Sequence, residues 1–431
     1  VPQAIVILLD AARPDRFGAY GYDRDTTPNM DALANRGVVF GNHYTLETYT
    51  VMAVPMLLFS RYYSIPVFSW SATVPFTAPD VLMKRLDDEA VSLPRALAAA
   101  GFHTAAISGS VFLRRDTEFS EQFDELHDLT REIELKPGNP YPSGEAVIDV
   151  TTRWIAEHRH RRYFLYLHLM DTHFPHRFGD DARALYGSGS YRGDRFDKWG
   201  NPRDPERPLN AEDRRYLDAL YDGGLRYADR QVGRLVRFLE REGLLGQTLI
   251  AITSDHGEHL LEVPGRFAHG GPWYERVARI PFILFHAGTS PARVDALTSA
   301  ADVAPTILSR LGVPLPAGRS MDGVDLLASG PKDDWVMMGS GIRDRRWKAL
   351  FPPEQVLGNR RATPSAVRGL LFDLAADPEE QTDLWSERPG EVERLLEVFR
   401  GEMQSRYQRF RTAENHAMPA RPFAIAARHL G

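Results

Sequence analysis

Short apolar runs alternate with amphipathic segments along most of the chain. Runs rich in β-branched and aromatic residues predict buried strands at 4–9, 104–108, 163–169, 248–253 and 282–285. Between them, apolar positions at helical spacing predict helices at 27–34, 93–100 and 214–243. Strands that alternate with helices indicate a three-layer α/β/α sandwich around a mainly parallel sheet.

The pattern changes after Leu326. Short strands are predicted at 335–338, 347–351 and 370–374, and a helix follows at about 390–407. A chain of 431 residues also exceeds the size of a typical single core. We therefore predict a catalytic domain at 1–330 and a small α+β subdomain at 331–431.

Two of the predicted strands end abruptly in residues that can bind a metal. The run 4–9 leads into Asp10, and the run 248–253 leads through Ser254 into Asp255, His256 and Gly257. Open α/β sheets bind ligands beyond the carboxyl ends of their strands, where these side chains would meet. The pattern therefore predicts a metal site at this edge, although an Asp that caps the next helix is the alternative for either strand alone.

Composition excludes some classes of protein. The net charge is −6 and no long basic run occurs, so nucleic-acid binding is not indicated. The chain has no cysteine, which excludes disulfides and thiolate metal sites, and no apolar run reaches the length of a membrane span. Because it opens on Val1 close to a core strand, we expect a removed signal or membrane anchor, with a periplasmic or extracellular location favoured over a cytoplasmic one.

Several blocks, in order along nearly the whole chain, together resemble the sulfatase family of the alkaline phosphatase superfamily. They are residues 10–15, 18–22, 27–34 and 37–40, then 171–175, 253–258, 269 with 274–276 and 279–281, 302–306, and 371–374 with 377–379. The resemblance implies an alkaline phosphatase-like fold for 1–330 and a metal-dependent ester hydrolase.

The nucleophile segment departs from the sulfatases proper. Their Cys or Ser motif, whose first residue becomes formylglycine, is missing, but the helix that continues from it is visible at 57–62. Counting back from that helix places Thr50 at the nucleophile position, where the segment 50–55 is similar to that of bacterial phosphoethanolamine transferases. Nucleotide pyrophosphatases and phosphodiesterases also use threonine there. Matching Pro55 to the sulfatase proline instead would put Ala53 in that position and imply an inactive protein.

The resemblance also implies a set of metal ligands. Asp10, Thr50, Asp255 and His256 are expected to surround one divalent cation. Mixed carboxylate and imidazole ligands suit Zn or Mn better than Ca, and Ala11 replaces the second acid that the family usually has there. Binding a second metal, with Asp171 nearby, is the alternative role for the substrate-side histidines His173 and His269.

Four residues are expected to contact the substrate. His173 and His269 match the family's substrate-side histidines, which suits them to bind phosphoryl oxygens or to protonate the leaving group. Arg13 and Arg61 are candidates for binding a phosphate, while an outward salt bridge is the alternative for Arg61.

These assignments predict a hydrolase of phosphate mono- or diesters that acts through a phosphothreonine intermediate. Three alternatives remain open: a phosphoethanolamine-type phosphotransferase, a sulfate ester hydrolase, and a catalytically inactive sulfatase-like binding protein. The expected substrate is a small-molecule or lipid-headgroup phosphoester. Nothing in the sequence indicates an oligomeric state.

Overall fold

The computed structural model describes residues 2–413, except 63–89, 116, 136–138, 177, 179–183, 188, 190, 198–199, 264, 332–333 and 353–367. The strands are β1 Gln3–Leu9, β2 Val38–Tyr44, β3 His103–Ser108, β4 Glu125–Asp128, β5 Tyr163–Leu169, β6 Thr248–Thr253, β7 His259–Leu260, β8 Phe267–Ala268, β9 Arg279–Ile280, β10 Phe282–Phe285, β11 Ala292–Ser299, β12 Trp335–Met338, β13 Gly341–Asp344, β14 Trp347–Leu350 and β15 Leu370–Asp373.

The helices connect these strands. The α-helices are α1 Pro28–Ala34, α2 Thr50–Phe59, α3 Leu93–Ala99, α4 Leu129–Glu132, α5 Gly144–His158, α6 Ala211–Arg241, α7 Glu275–Ala278, α8 Val303–Arg310 and α9 Pro389–Ala413. Short 3-10 helices lie at Pro14–Arg16, Gly18–Tyr20, Ser120–Gln122, Leu245–Gln247 and Ala300–Asp302. None of the described helices is long and apolar enough to cross a membrane.

The large sheet places β1 at its centre. Its strand order is β11-β2-β10-β6-β1-β5-β3-β4, with β9 paired to β2. The strands β6, β1, β5, β3 and β4 run parallel to one another, whereas β10 runs antiparallel to both β6 and β2. The carboxyl ends of β6, β1 and β5 therefore meet at one edge.

Alternation along β1 explains the layers. Ala4, Val6 and Leu8 contribute to the core cluster that includes α2 and α8, while Ile5, Ile7 and Leu9 contribute to the cluster that includes α5 and α6. Side chains alternate between the two faces of a strand, so a strand that is apolar at every position must be covered on both sides. The main sheet is accordingly the middle layer of an α/β/α sandwich.

A small antiparallel sheet follows in the order β12-β13-β14-β15. One of its faces packs against α9, through residues such as Ile342, Leu371, Leu395 and Phe399. A buried ion pair also joins it to the preceding part of the chain, because the Nζ atom of Lys348 lies 3.1 Å from Glu275 Oε1. The boundary at residue 330 stays a prediction.

The predicted fold class is confirmed, and so are the five main strands. The strand at 282–285 is the exception to the parallel arrangement, since it is β10. The sequence analysis did not predict β2, β4, β11, β13 or α8. Periodicity is a weak guide for such elements: β4 and β13 are only four residues long, and β11 is exposed over its first half.

Candidate active site

Asp10, Asp255 and His256 meet at the carboxyl edge of the main sheet. Asp10 follows β1, and its N–H donates a 2.9 Å hydrogen bond to the carbonyl of Leu169 at the end of β5. Asp255 and His256 follow β6, and the Nε2 atom of His256 lies 3.4 Å from Asp255 Oδ2 and 3.9 Å from Asp10 Oδ1. All three side chains are buried.

Ala11 turns the chain off β1 immediately after Asp10. It has a φ of 60°, which is uncommon for a residue other than glycine, and its N–H donates to Asp255 Oδ1 at 3.2 Å. The turn after β1 is thus fixed to the turn after β6, which holds the two carboxylates next to each other.

Thr50 is the first residue of α2 and points into the same site. Its Oγ1 atom donates to Asp10 Oδ2 at 3.3 Å and lies 3.4 Å from His256 Nε2. The N-cap position belongs to Tyr49, so the Thr50 hydroxyl does not cap the helix. A helix N-terminus adds positive potential, which favours negative charge that develops at this oxygen.

The donor set fits a divalent cation. Asp10 Oδ1 and Asp255 Oδ2 are buried, and neither has a hydrogen-bond partner among the described residues. Burial raises the pKa of Asp10 well above its usual range, and the neighbouring Asp255 raises it further. Two buried carboxylates in contact need a counter-charge, which a cation held by Asp10, Thr50, Asp255 and His256 would supply.

His168 belongs to this group, although the sequence analysis gave it no role. It lies on β5 beside the end of β1, and its Nε2 atom is 2.8 Å from Asp10 Oδ2. The hydroxyl of Tyr166 lies 2.9 Å from its other ring nitrogen. Burial lowers the pKa of His168 to about 4. A neutral imidazole is the form that binds metal, so His168 can join Asp10 and Asp255 around one ion.

His173 and His269 lie on the other side of His256. The ring of His269 stands 4.3 Å from that of His256 and 4.8 Å from that of His173, measured between centroids. The Nε2 atom of His173 is 4.0 Å from Asp10 Oδ1. The structure therefore brings both predicted histidines next to the predicted metal ligands.

The pKa values of the two histidines are shifted in opposite directions. Burial lowers the pKa of His173 well below its usual range, and the positive charge of His269 adds to this effect. Burial also acts to lower the pKa of His269, but Glu258 outweighs it and the pKa is raised. The Oε1 atom of the buried Glu258 lies 3.5 Å from His269 Nδ1. His269 can therefore carry a proton at the site, and Glu258 is a second residue whose role the sequence analysis missed.

Asp171 was expected near any second metal. Its Oδ1 atom accepts a 2.9 Å hydrogen bond from the N–H of Gly144 at the start of α5. A second metal held with His173 and His269 stays a prediction.

The guanidinium of Arg13 is hydrogen-bonded to carboxylates of the protein itself. Its Nε and Nη2 atoms donate to the two oxygens of Asp15, at 3.0 and 2.9 Å, and Nη1 donates to Glu262. Nη1 also donates to the carbonyl of Glu258 at 2.9 Å. Substrate binding by Arg13 stays a prediction, and the contacts that the structure gives it hold the segment that carries Glu258.

The structure does not bring Arg61 to Thr50. Arg61 follows the last turn of α2, eleven residues after Thr50, which is roughly 16 Å along a helix. Its guanidinium bonds to Asp322 at 3.0 Å and to Ser320 Oγ at 3.2 Å. Arg61 thus forms a salt bridge, but a buried one and not the outward one expected. Phosphate binding by Arg61 stays a prediction.

Comparison with known proteins places this site in a family. The sulfatase family model matches residues 2–313. An arylsulfatase of Clostridium perfringens is 23% identical over 456 residues, covering 89% of this chain and 90% of that protein. Other relatives are longer: the chain spans 54% of the length of arylsulfatase K from Xenopus laevis, at 25% identity over 306 residues.

Solved structures share the fold at low sequence identity. The phosphonate monoester hydrolase of Agrobacterium radiobacter aligns with a TM-score of 0.66 and 18% identity, covering 95% of this chain and 96% of that one. The lipoteichoic acid synthase LtaP of Listeria monocytogenes aligns with a TM-score of 0.64 and 17% identity, covering 95% and 92%. The chain therefore belongs to the sulfatase family of the alkaline phosphatase superfamily.

Proposed function

We propose that this protein hydrolyses phosphate mono- or diesters through Thr50. The observation that carries the proposal is the position of the Thr50 hydroxyl, 3.3 Å from Asp10 Oδ2 and 3.4 Å from His256 Nε2. A free alcohol is a weak nucleophile at neutral pH, and a divalent cation bound at these residues would stabilise its alkoxide form. The carboxylate and imidazole donors favour Zn or Mn over Ca in that role.

The chemistry of threonine favours phosphorus over sulfur. Formylglycine is an aldehyde, whereas oxidation of the secondary alcohol of threonine would give a ketone, and the chain has no cysteine. A hydrated aldehyde can expel sulfate by losing its second hydroxyl. A threonine sulfate ester has no such route, but water can cleave a phosphothreonine at phosphorus.

The proposed reaction has two steps. Thr50 Oγ1 attacks phosphorus as its proton passes to Asp10 Oδ2, the acceptor of its hydrogen bond. The bond from phosphorus to the leaving oxygen breaks, and His269 protonates that oxygen, with Glu258 holding the imidazole in place. Water then attacks phosphorus and gives a proton to the His269 imidazole, while the Thr50 Oγ1–P bond breaks and Asp10 returns its proton to Oγ1. Phosphate, or a phosphate monoester, is released.

Aromatic rings flank the two histidines. The ring of Tyr49, which is 49% exposed, stands 6.1 Å from that of His269, and the ring of Tyr141 stands 5.2 Å from that of His173. Rings that present an edge or a face to the substrate suit an aromatic or otherwise apolar leaving group. Small-molecule or lipid-headgroup phosphoesters are therefore the proposed substrate class.

Sulfate ester hydrolysis is the second candidate. The family model that matches the chain is named sulfatase, and the similar proteins reported above are named arylsulfatases. Four nitrophenyl esters separate the two candidates, because they share one leaving group. They are the nitrophenyl esters of phosphate, phenyl phosphate, phenylphosphonate and sulfate. After metal removal and reloading with Zn or Mn, we expect higher kcat/KM for a phosphoryl ester than for the sulfate. A preference for sulfate would refute the proposal.

The same assay tests the transferase alternative. A transferase and a hydrolase differ only in whether an alcohol or water attacks the phosphothreonine. A glycol or ethanolamine is added to the phosphodiester assay as a competing acceptor. If the protein is a hydrolase, the product of hydrolysis by water should remain the main product. Transfer to the added alcohol as the main product would favour the transferase.

A further inference from the structure

A second group of histidine and glutamate side chains lies at the opposite edge of the main sheet. His103 is the first residue of β3, Glu125 is the first residue of β4, and His158 is the last residue of α5. In the parallel register His103 pairs with Tyr163, whereas His168 pairs with Ser108, five residues further along. At about 3.3 Å per residue the two groups are roughly 16 Å apart along the strands, so they cannot share one ion.

Three donor atoms converge at this edge. The Nε2 atom of His103 lies 2.6 Å from Glu125 Oε1, and the Nε2 atom of His158 lies 3.9 Å from the same oxygen. One ligand atom from each residue falls within 4.8 Å of the others. Ligands bound to zinc at about 2.0–2.1 Å in tetrahedral geometry are about 3.3 Å apart. The two spacings lie on either side of that value, so small side-chain shifts would suffice to bind an ion.

The outer contacts orient these donors. The Nδ1 atom of His158 lies 2.8 Å from the carbonyl oxygen of Trp154, which can only accept a hydrogen bond, so Nδ1 carries the proton. In the neutral ring the Nε2 atom, 3.9 Å from Glu125 Oε1, then carries the lone pair that can bind a cation. A ligating histidine whose other nitrogen bonds to a carbonyl or carboxylate is the usual arrangement around protein-bound metals.

The other donors have similar support. His103 Nδ1 lies 3.6 Å from a carboxylate oxygen of Asp124, and Glu125 Oε2 accepts a 2.8 Å hydrogen bond from Trp154 Nε1. His127 lies two residues after Glu125 on β4, and its Nε2 atom is 3.7 Å from Glu125 Oε2. That nitrogen is buried, and no hydrogen-bond partner for it occurs among the described residues. His127 therefore lies beside the site, outside the set of three donor atoms that converge.

From this geometry we propose a binding site for a divalent transition metal, of the zinc class, formed by His103, Glu125 and His158. Two imidazoles and one carboxylate select zinc, nickel or copper over calcium and magnesium, which prefer oxygen alone. The side chains are 17–35% exposed, so an ion can reach them. The site joins β3, β4 and α5 at the edge of the sheet and is independent of the proposed function.

Zinc stoichiometry and affinity test this site. After equilibrium dialysis against Zn²⁺ and elemental analysis, we expect the double variant His103→Gln/His158→Gln to hold one zinc per chain fewer than the wild type. His160→Gln is the matched control, because His160 is an exposed histidine in the same region, and it should retain the wild-type zinc content. Equal zinc content in the wild type and the double variant would refute the site, whatever the active site binds.

A milder variant keeps the test valid if the double variant folds poorly. Glu125→Gln preserves an oxygen acceptor and removes the charge, and we expect it to bind this zinc at least about tenfold more weakly, since even outer contacts of metal ligands contribute about 10–100-fold to affinity. Zinc should also raise the Tm of the wild type more than that of Glu125→Gln. Ester turnover should be the same in both proteins. An unchanged zinc affinity in Glu125→Gln would contradict the proposal.

Discussion

The Nε2 atom of His168 lies 2.8 Å from the Oδ2 atom of Asp10, across the boundary between two adjacent parallel strands. The same carboxylate oxygen accepts the hydrogen bond of Thr50. Asp10 is thus held from two sides, and His168 is in a position to be an additional ligand of an ion bound at the end of β1. Where the sulfatase pattern has a second acid, this chain has Ala11. We expect the imidazole of His168, on another strand, to supply a donor in a site that lacks that acid.

The first prediction concerns this imidazole. We expect His168→Asn to weaken Zn binding by about 10–100-fold, because it removes a donor and the support of Asp10. Zinc affinity is measured by competition with a chelator, and Asp255→Asn, which removes a primary ligand, should lose more. The surface variant His160→Asn should bind as the wild type does. Wild-type zinc affinity in His168→Asn would show that His168 only fills space beside Asp10.

Glu258 gives a second prediction. It contacts His269 and not the proposed reacting atoms, so its effect should depend on how much the leaving group needs a proton. We expect Glu258→Gln to lower turnover of an alkyl phosphate ester by about 10²-fold or more, and to affect the nitrophenyl ester much less. His269→Asn should show the same dependence on the leaving group. Equal losses on both esters would indicate a structural role for Glu258.

How well the site could be predicted depended on where each residue lies. Asp10, Asp255 and His256 were predictable because an apolar strand ends at each position. His168 lies inside the apolar run of β5, a strand that is buried throughout. A histidine within such a run was the one sequence feature that indicated a role for it. Thr50 required the family resemblance, because a threonine that begins an apolar helix has no distinctive pattern of its own.

The two arginines show the limit of sequence reasoning. Besides the neighbouring Asp15, Arg13 pairs with Glu262, 249 residues away, and Arg61 pairs with Asp322, 261 residues away. No local pattern reports such partners, so the sequence could not distinguish an arginine that binds substrate from one that neutralises a distant carboxylate. The fold class was easier to predict, because it depends on the order of strands and helices and not on individual contacts.

The third prediction uses the ion pair of Arg13 and Glu262. Burial alone would raise the pKa of Glu262, but Arg13 outweighs it and lowers that pKa to about 2. A lowered pKa in the folded state adds stability above the ordinary pKa of 4.5, and this stability is lost as the pH falls towards 2. The contribution is at most on the order of 3 kcal/mol, from about 1.4 kcal/mol per pKa unit.

Glu262→Gln should therefore be less stable than the wild type at pH 7, and the difference should shrink between about pH 5 and pH 2. Urea unfolding at several pH values measures it. Glu240→Gln removes a carboxylate that is 49% exposed and 3.7 Å from Arg36, and it should show little difference at any pH. A gap between Glu262→Gln and the wild type that stays constant down to pH 3 would contradict the lowered pKa.

The last prediction distinguishes Thr50 from the alignment that puts Ala53 in the nucleophile position. Thr50→Ala removes the hydroxyl next to Asp10 and His256 but leaves every carboxylate and imidazole in place, so turnover should fall by orders of magnitude while bound metal changes little. Stability should barely change, because Tyr49 and not Thr50 occupies the N-cap of α2.

Thr50→Ser keeps an alcohol and should retain part of the activity, which separates loss of the nucleophile from loss of packing. When the reaction with a slow phosphodiester is quenched, mass spectrometry should find one phosphoryl group, still carrying the remaining ester substituent, on the peptide that contains Thr50. If Thr50→Ala turns over at a near-normal rate, or the added group lies on another peptide, then the phosphothreonine mechanism must be abandoned, since no other step in it can replace this oxygen.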